Sequence, residues 1–123
     1  MRAIFILSIA LASASMCGCV HRIGDATLLS TKNIDIKKTL HTVDSSKRIE
    51  GVDELEFYFI FPTKGNVTMK EAVDNAIESC PGAVGLSNAA IYFADFYIFP
   101  IYGRRYFKVE GDPVYEAKPT AQK

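Results

Sequence analysis

Two cysteines near the start of the chain are the first residues whose type and spacing suggest chemistry. Cys17 and Cys19 follow an apolar run at residues 3–14, which itself follows the basic start Met1-Arg2. The run is about 12 residues long, shorter than the ~20 that cross a bilayer as a helix. It fits the ~7–15 residue core of an export signal. This pattern predicts a bacterial lipoprotein signal peptide, in which a cysteine thiol takes a diacylglycerol.

The two cysteines compete for the lipid. The small residue Gly18 precedes Cys19, whereas the bulkier Met16 precedes Cys17. We therefore expect lipidation at Cys19, with Cys17 as the alternative. An ordinary cleaved signal or a retained anchor is the competing interpretation, and the short apolar run argues against the anchor.

The choice of lipidation site decides the thiol chemistry. With lipid on Cys19, only Cys80 remains as a thiol and no intramolecular disulfide forms. With lipid on Cys17, Cys19 and Cys80 would be free to pair in an oxidising compartment. Neither arrangement supplies a metal-binding cluster.

The residue after Cys19 predicts the location. In Gram-negative cells an Asp there favours the inner membrane, and this chain carries Val20 instead. We expect a cell-envelope protein on the periplasmic side of the outer membrane rather than at the inner membrane. Its first partner is then a membrane, reached through the N-terminal lipid.

Composition predicts one small domain. We divide the chain into a signal peptide at 1–18, a tether at 19–24, a single α+β domain at 25–116 and a disordered tail at 117–123. Cleavage before Cys19 leaves 105 residues with 13 basic and 14 acidic side chains. Nucleic-acid binding needs a basic face, so this near-neutral balance argues against a nucleic-acid partner.

One helix is well marked. Thr68 and Glu71 fit a capping box, and Pro81-Gly82 ends the helical pattern. The apolar residues between them repeat at helical spacing and should face the core: Met69, Ala72, Val73, Ala76, Ile77 and Cys80. Cys80 is interpreted as a small core residue rather than a reactive thiol.

Apolar and alternating segments predict strands at 26–30, 47–52 (weakly), 56–61, 88–99 and 105–110. The segment at 88–99 is apolar on both faces, as in a central strand, and should form an antiparallel hairpin with 105–110. We predict an α+β fold: a small antiparallel sheet of about four strands with one amphipathic helix packed on one face, in the order strand-strand-helix-strand-strand.

Four segments resemble a known group: GDATLLSTKNI at 24–34, KEAVDNAI at 70–77, FYIFPIYG at 96–103 and VEGDPV at 109–114. In this layout the chain resembles the TRL-like lipoproteins, small bacterial envelope lipoproteins of uncharacterised function. The resemblance implies a single-domain lipoprotein and brings no catalytic or binding residue. Cys80 departs from the pattern.

Catalytic candidates are few. The chain has two histidines, His21 in the predicted tether and His41 in a polar stretch. Asp95, inside the most apolar strand, is the best candidate for a perturbed acid, but a hydrogen-bonded polar residue is the favoured interpretation. There is no CxxC, HExxH or Gly-rich phosphate loop. We expect no enzyme activity, no cofactor and no metal.

Aromatic residues are concentrated near the predicted hairpin, where Tyr and Arg side chains adjoin. Such residues are typical of contact surfaces and also of a membrane-interface belt. The candidate surface comprises Tyr102, Arg104, Arg105 and Tyr106. We expect a lipid-anchored envelope protein with a binding or structural role, whose partner is another envelope protein. The alternatives are a small-molecule or lipid-binding module with a cleft between helix and hairpin, or a surface-protecting accessory lipoprotein.

Overall fold

The computed structural model describes residues 17–34, 41–98 and 100–116. Most of the predicted signal peptide and the whole predicted tail lie outside these residues. The elements, in chain order, are β1 (Cys17–Leu29), β2 (His41–Val43), β3 (Ile49–Tyr58), β4 (Phe61–Pro62), α1 (Met69–Glu78), β5 (Ala83–Ile98) and β6 (Tyr102–Glu116).

The strands form one antiparallel sheet in the order β1-β5-β6-β3-β4. β5 and β6 make the predicted hairpin, with Ile98 opposite Tyr102 at its turn. On its other edge β6 pairs with β3 over residues 102–111 and with β2 over 114–116. β6 is therefore central, and β1 forms one edge of the sheet.

α1 packs on one face of this sheet. Four of its apolar residues are buried, namely Ala72, Val73, Ala76 and Ile77, and they form a core with Ile49, Leu86, Ile91 and Val109. Cys80, just beyond the helix, is also buried, as predicted. Met69 is 39% exposed, so its assignment to the core face is wrong. It occupies the first position of the helix.

The helix approaches the sheet most closely at Gly51 on β3. A Cβ there would lie 2.2 Å from both the carbonyl oxygen of Ala72 and the amide nitrogen of Ala76. Only a residue without a side chain permits this backbone-to-backbone contact. Gly51 thus sets how deeply the helix seats on the sheet.

The start of α1 is held by the predicted cap and by a residue that the sequence did not suggest. The Thr68 hydroxyl accepts a hydrogen bond from the Glu71 amide at 3.2 Å. The Thr68 amide in turn donates to the carboxylate of Asp53, on β3, at 2.7 Å. Asp53 is 5% exposed and is also paired with Lys64. A carboxylate from the sheet therefore takes the place that the capping box would give to Glu71.

The α+β class is confirmed, and within residues 17–34, 41–98 and 100–116 one helix packs on an antiparallel sheet, but these residues form six strands rather than about four. Four strands precede the helix and two follow it. The predicted strands at 47–52 and 56–61 differ most. β3 runs unbroken from Ile49 to Tyr58, and the chain reverses at Phe59, whose φ is 59°. The three-residue β2 is too short and polar to show an apolar pattern.

Candidate functional site

The predicted lipidation site lies on the edge strand. Cys19 is exposed and unpaired with another thiol, and its Cα lies opposite Asp95 of β5. Residues 19–24, predicted to be a tether, are within β1 and pair with β5. The side chains of these residues show no apolar alternation that would predict a strand. The segment is a strand because its backbone pairs with β5.

The four residues of the candidate contact surface divide between the two faces of the sheet. Alternate residues of a strand point to opposite faces. Arg105 is opposite the buried Leu55 of β3, on the face that carries the helix. Tyr102, Arg104 and Tyr106 therefore lie on the other face. We call this second face the open face, since α1 does not cover it. It is formed by the even-numbered residues of β3, of β5 from Tyr92 onward and of β6 up to Glu110.

Arg104 lies on the open face within a paired arrangement. Its Nε atom donates to the carboxylate of Glu54 at 2.9 Å, and its guanidinium carbon is 5.1 Å from the centre of the Tyr106 ring. The hydrogen bond to Glu54 raises the pKa of Arg104. Both charged side chains are about half exposed, so this pair contributes only about 0–1 kcal/mol to stability. The Arg104–Glu54 pair therefore presents one positive and one negative charge to solvent at fixed positions on the open face.

Glu56 organises two tyrosines on the same face. It accepts hydrogen bonds from the hydroxyls of Tyr102 at 2.8 Å and Tyr58 at 3.1 Å. The two rings lie 5.6 Å apart between their centres. The hydrogen bond to the Glu56 carboxylate raises the pKa of each tyrosine. Both phenols therefore stay neutral donors at physiological pH.

A second charged group lies farther along the open face. The Nζ atom of Lys108 is 2.8 Å from carboxylate oxygens of both Glu50 and Glu110. Its hydrogen bond lowers the pKa of Glu110, with a further contribution from Arg48. The open face thus alternates half-buried rings with paired charges. The acidic partners on β3 have no recognisable sequence signature, because they meet β6 only through the cross-strand register.

Asp95 and Arg105 form a pair on the helix-bearing face. The Arg105 Nε and Nη2 atoms donate to Oδ2 of Asp95 at 3.0 and 2.8 Å. The Arg105 guanidinium carbon also lies 5.9 Å from the centre of the Phe57 ring. Asp95 is thus a hydrogen-bonded polar residue, the interpretation favoured from sequence.

A hollow of about 400 Å³ opens beside this pair, lined by Phe57, Phe59, Ile60, Asp95, Tyr97 and Arg105. α1 begins near Asp53, and Phe57 lies four residues farther along β3. The hollow therefore occupies the part of the sheet beyond the start of the helix. Its walls are mostly apolar, with one ion pair. It is the feature that most resembles the cleft expected for a binding module.

Neither histidine lies in a catalytic arrangement within the described ranges. His21 is exposed on β1. The Nε2 atom of His41 is shielded from solvent and has no hydrogen-bond partner among the residues with described positions. Its neighbour Asp44 instead accepts hydrogen bonds from the amide and hydroxyl of Ser46, at 3.1 and 2.5 Å. These bonds lower the pKa of Asp44 and hold a turn.

Cys80 is a core residue next to a phenol. Its Sγ atom lies 2.9 Å from the hydroxyl of Tyr115 on β6, and this contact raises the pKa of Tyr115. The described parts of the chain contain no group of three or more His, Cys, Asp or Glu residues placed to hold a metal ion. No helix among these parts is long and apolar enough to cross a membrane.

Comparison of the chain with protein-family models, with curated proteins and with solved structures found no match in any of the three. The resemblance to the TRL-like lipoproteins therefore stays a prediction from its four sequence segments.

Proposed function

We propose that this protein is a lipid-anchored bacterial envelope protein, attached through Cys19, that acts by binding or by structural contact and not by catalysis. The observation that carries the proposal is the position of Cys19. It is exposed on an edge strand, shortly after the apolar segment at 3–14. A thiol in this position is accessible to an acylating enzyme, and a lipid on it requires no space in the core.

The side chains that could do chemistry support a binding role. Asp95 is paired with Arg105, and Glu54 is paired with Arg104. Asp44, the acid nearest to His41 in sequence, is bonded to Ser46. A nucleophilic site needs a base within hydrogen-bond reach of a nucleophile. The open face instead offers tyrosine hydroxyls and fixed charges, which suit recognition of a protein surface.

The proposed location follows from Val20 at the position after the lipidated cysteine. We place the protein at the outer membrane, facing the periplasm, with another envelope protein as its partner. Membrane attachment raises the effective concentration of the domain for such a partner. A role in protecting the cell surface uses the same anchor and the same face.

Attachment is tested by mass spectrometry of the mature N-terminus in cells. We expect acylated Cys19 in the wild type, unprocessed precursor for Cys19→Ala, and normal processing for the matched control Cys17→Ala. Normal processing of Cys19→Ala, with lipid on Cys17, would refute the choice of site.

The binding role is tested by exchanging the charges of one pair. Glu54→Arg with Arg104→Glu keeps an ion pair while reversing its direction on the open face, so the fold should be retained. A photo-crosslinker at the exposed Val20, on the same face, should capture a specific envelope protein in intact cells, and the exchange should weaken that capture. The control is His21→Gln with His41→Gln. If this control abolishes the cellular phenotype while folded, and the exchange does nothing, catalysis must be reconsidered.

The hollow supports a second candidate, a small-molecule or lipid-binding module. Its Phe57, Phe59 and Tyr97 walls suit an apolar ligand whose anionic group would compete with Asp95 for Arg105. A fluorescent fatty acid should then bind the protein and be released by Arg105→Gln. The open-face variant Arg104→Gln should bind it as the wild type does. Equal binding by both variants, or none by the wild type, would exclude this candidate.

A further inference from the structure

Two turns at one end of the sheet expose large apolar side chains. Phe59 is 60% exposed, Ile60 77%, Phe61 72% and Ile101 59%. We call these four residues the apolar end. They belong to one surface, because the Phe59 amide donates to the Ile101 carbonyl at 3.0 Å across the two turns. Soluble surfaces rarely carry such contiguous apolar patches without a function.

The apolar end is also free of charge. Residues 57–62 and 96–103 contain no Asp, Glu, Lys, Arg or His. Several backbone polar groups of the turns are satisfied internally: Ile101 N bonds to the Ile98 carbonyl at 2.8 Å, and the Tyr97 hydroxyl donates to the Phe59 carbonyl. Paired backbone groups of this kind are what an apolar environment requires.

The chain enters the fold at this same end. β1 is antiparallel to β5, and Cys17 lies opposite Tyr97, one residue from the β5 terminus at Ile98. At about 3.4 Å per residue, Cys19 lies about 7 Å from the level of Tyr97. The apolar segment at 3–14 directly precedes this strand. Whatever holds the start of the chain at a membrane also holds the apolar end there.

Two tyrosines lie just behind the apolar end. Tyr58 directly precedes the first turn, and Tyr102 directly follows the second. Their hydroxyls donate to the carboxylate of Glu56, which lies farther from the turns along β3. Rings with one polar end are characteristic of the boundary between acyl chains and headgroups. Charged residues begin only behind this level, with Glu56 on β3 and Arg104 on β6. On the helix-bearing face the first charges are the paired Asp95 and Arg105, which line the hollow described above.

We propose that the apolar end inserts into the surface of the bilayer to which Cys19 is attached, so that the sheet stands on the membrane with the open face held upright. The inference rests on the proposed attachment at Cys19, and it adds a second contact between protein and lipid. The occupant is a lipid surface, because the patch is uncharged and adjoins the point where the chain meets the membrane. We expect the apolar end to enter the bilayer by about 5–10 Å, the depth of an interfacial contact, and not to cross it.

The absence of tryptophan from the chain permits a direct test. Ile60→Trp puts a single fluorophore at the most exposed residue of the apolar end, and Val43→Trp puts one on β2, at the opposite end of the sheet. Both variants are expressed from the full-length precursor, isolated after processing in the cell, and reconstituted into phosphatidylethanolamine–phosphatidylglycerol vesicles. Brominated acyl chains should quench Ile60→Trp several-fold more than Val43→Trp, with a blue shift of emission for Ile60→Trp alone.

A variant that adds charge provides the second measurement. Phe61→Asp in the Ile60→Trp background should restore quenching by aqueous acrylamide to the level of Val43→Trp. Circular dichroism checks that the fold is retained, which the high exposure of both residues favours.

Each alternative outcome has its own meaning. Equal acrylamide access for the two fluorophores in vesicles overturns the inference. Shielding of Ile60→Trp without bromine quenching also overturns it, since a second copy or the preceding chain would then cover the patch. Mass spectrometry of the same samples reports attachment separately. Acylated Cys19 without quenching refutes insertion alone, whereas an unacylated chain that is still quenched refutes the proposed attachment and leaves the lipid contact supported.

Discussion

Replacing Gly51 with alanine tests the seating of the helix on the sheet. The added Cβ would lie 2.2 Å from two backbone atoms of α1, the Ala72 oxygen and the Ala76 nitrogen. Backbone atoms cannot turn aside as a side chain can, so the helix must retreat by about 1 Å. A gap of 0.5–1 Å loses a quarter to a half of each dispersion contact across it.

The size of the effect follows from what the helix buries. Ala72, Val73, Ala76 and Ile77 are each at most 1% exposed. Loosening all four resembles a severe overpacking change, which costs about 1–3 kcal/mol or more. The reduced entropy of the unfolded chain returns only about 0.4–1 kcal/mol. Taking the upper end of the cost and subtracting this gain, we expect Gly51→Ala to lower the free energy of unfolding by about 2 kcal/mol.

Urea unfolding followed by far-ultraviolet circular dichroism measures this loss. The matched control is Gly24→Ala on β1, where a Cβ would meet nothing within 4 Å. It should stay within about 0.5 kcal/mol of the wild type. If Gly51→Ala and Gly24→Ala unfold at the same urea concentration, the close approach of helix and sheet is incorrect.

Three further predictions concern single side chains. Asp53→Ala removes the acceptor for the Thr68 amide and the partner of Lys64, so it should lower the free energy of unfolding in urea by about 3 kcal/mol. The matched change Glu54→Ala, at the exposed neighbour, should lower it by no more than about 1 kcal/mol. Equal losses would contradict the role of Asp53. Cys80, in a Cys17→Ser, Cys19→Ser background, should react with a thiol reagent only as the domain unfolds, so rapid labelling of the folded protein would contradict its burial. Because the pKa of Glu110 is lowered in the folded state, its contribution to the free energy of unfolding is present above its ordinary pKa of 4.5 and is lost as the pH falls through the folded pKa. Glu110→Gln should therefore flatten the acid side of the stability–pH curve. An unchanged curve would exclude the pairing with Lys108.

Local patterns in the sequence predicted the helix and the central hairpin. The 3.6-residue repeat from Ala72 to Ile77 fixes a buried stripe, and the apolar residues of β5 require a covered or central strand. The extent of β3 was not predictable in this way. Its Asp53 and Glu54 look like a loop, and only the contact of Asp53 with the start of the helix makes the first of them a buried strand residue.

The candidate surface shows what the sequence allowed and what it did not. The predicted strand began at Arg105 and left Arg104 in the turn. Because β6 begins at Tyr102 instead, strand alternation places Arg104 and Arg105 on opposite faces. Their partners, Glu54 and Asp95, depend on the register of two different strand pairs, which no local pattern specifies. The extension of β1 through residues 19–24 likewise depends on pairing with β5, not on any apolar repeat.

The bulge in β1 has a mechanical consequence for a domain anchored at Cys19. Pairing with β5 is irregular between Arg22 and Gly24, so the four pairs from Cys19 to Arg22 are separated from the rest of the ladder. Tension on the anchor loads these pairs first, because an edge strand can peel one residue at a time while the remaining sheet stays intact. Local opening costs less than global unfolding. Four released residues would lengthen the connection by about 13 Å. If the proposed attachment at Cys19 holds, this strand would act as a short extensible link that yields under load before the domain does.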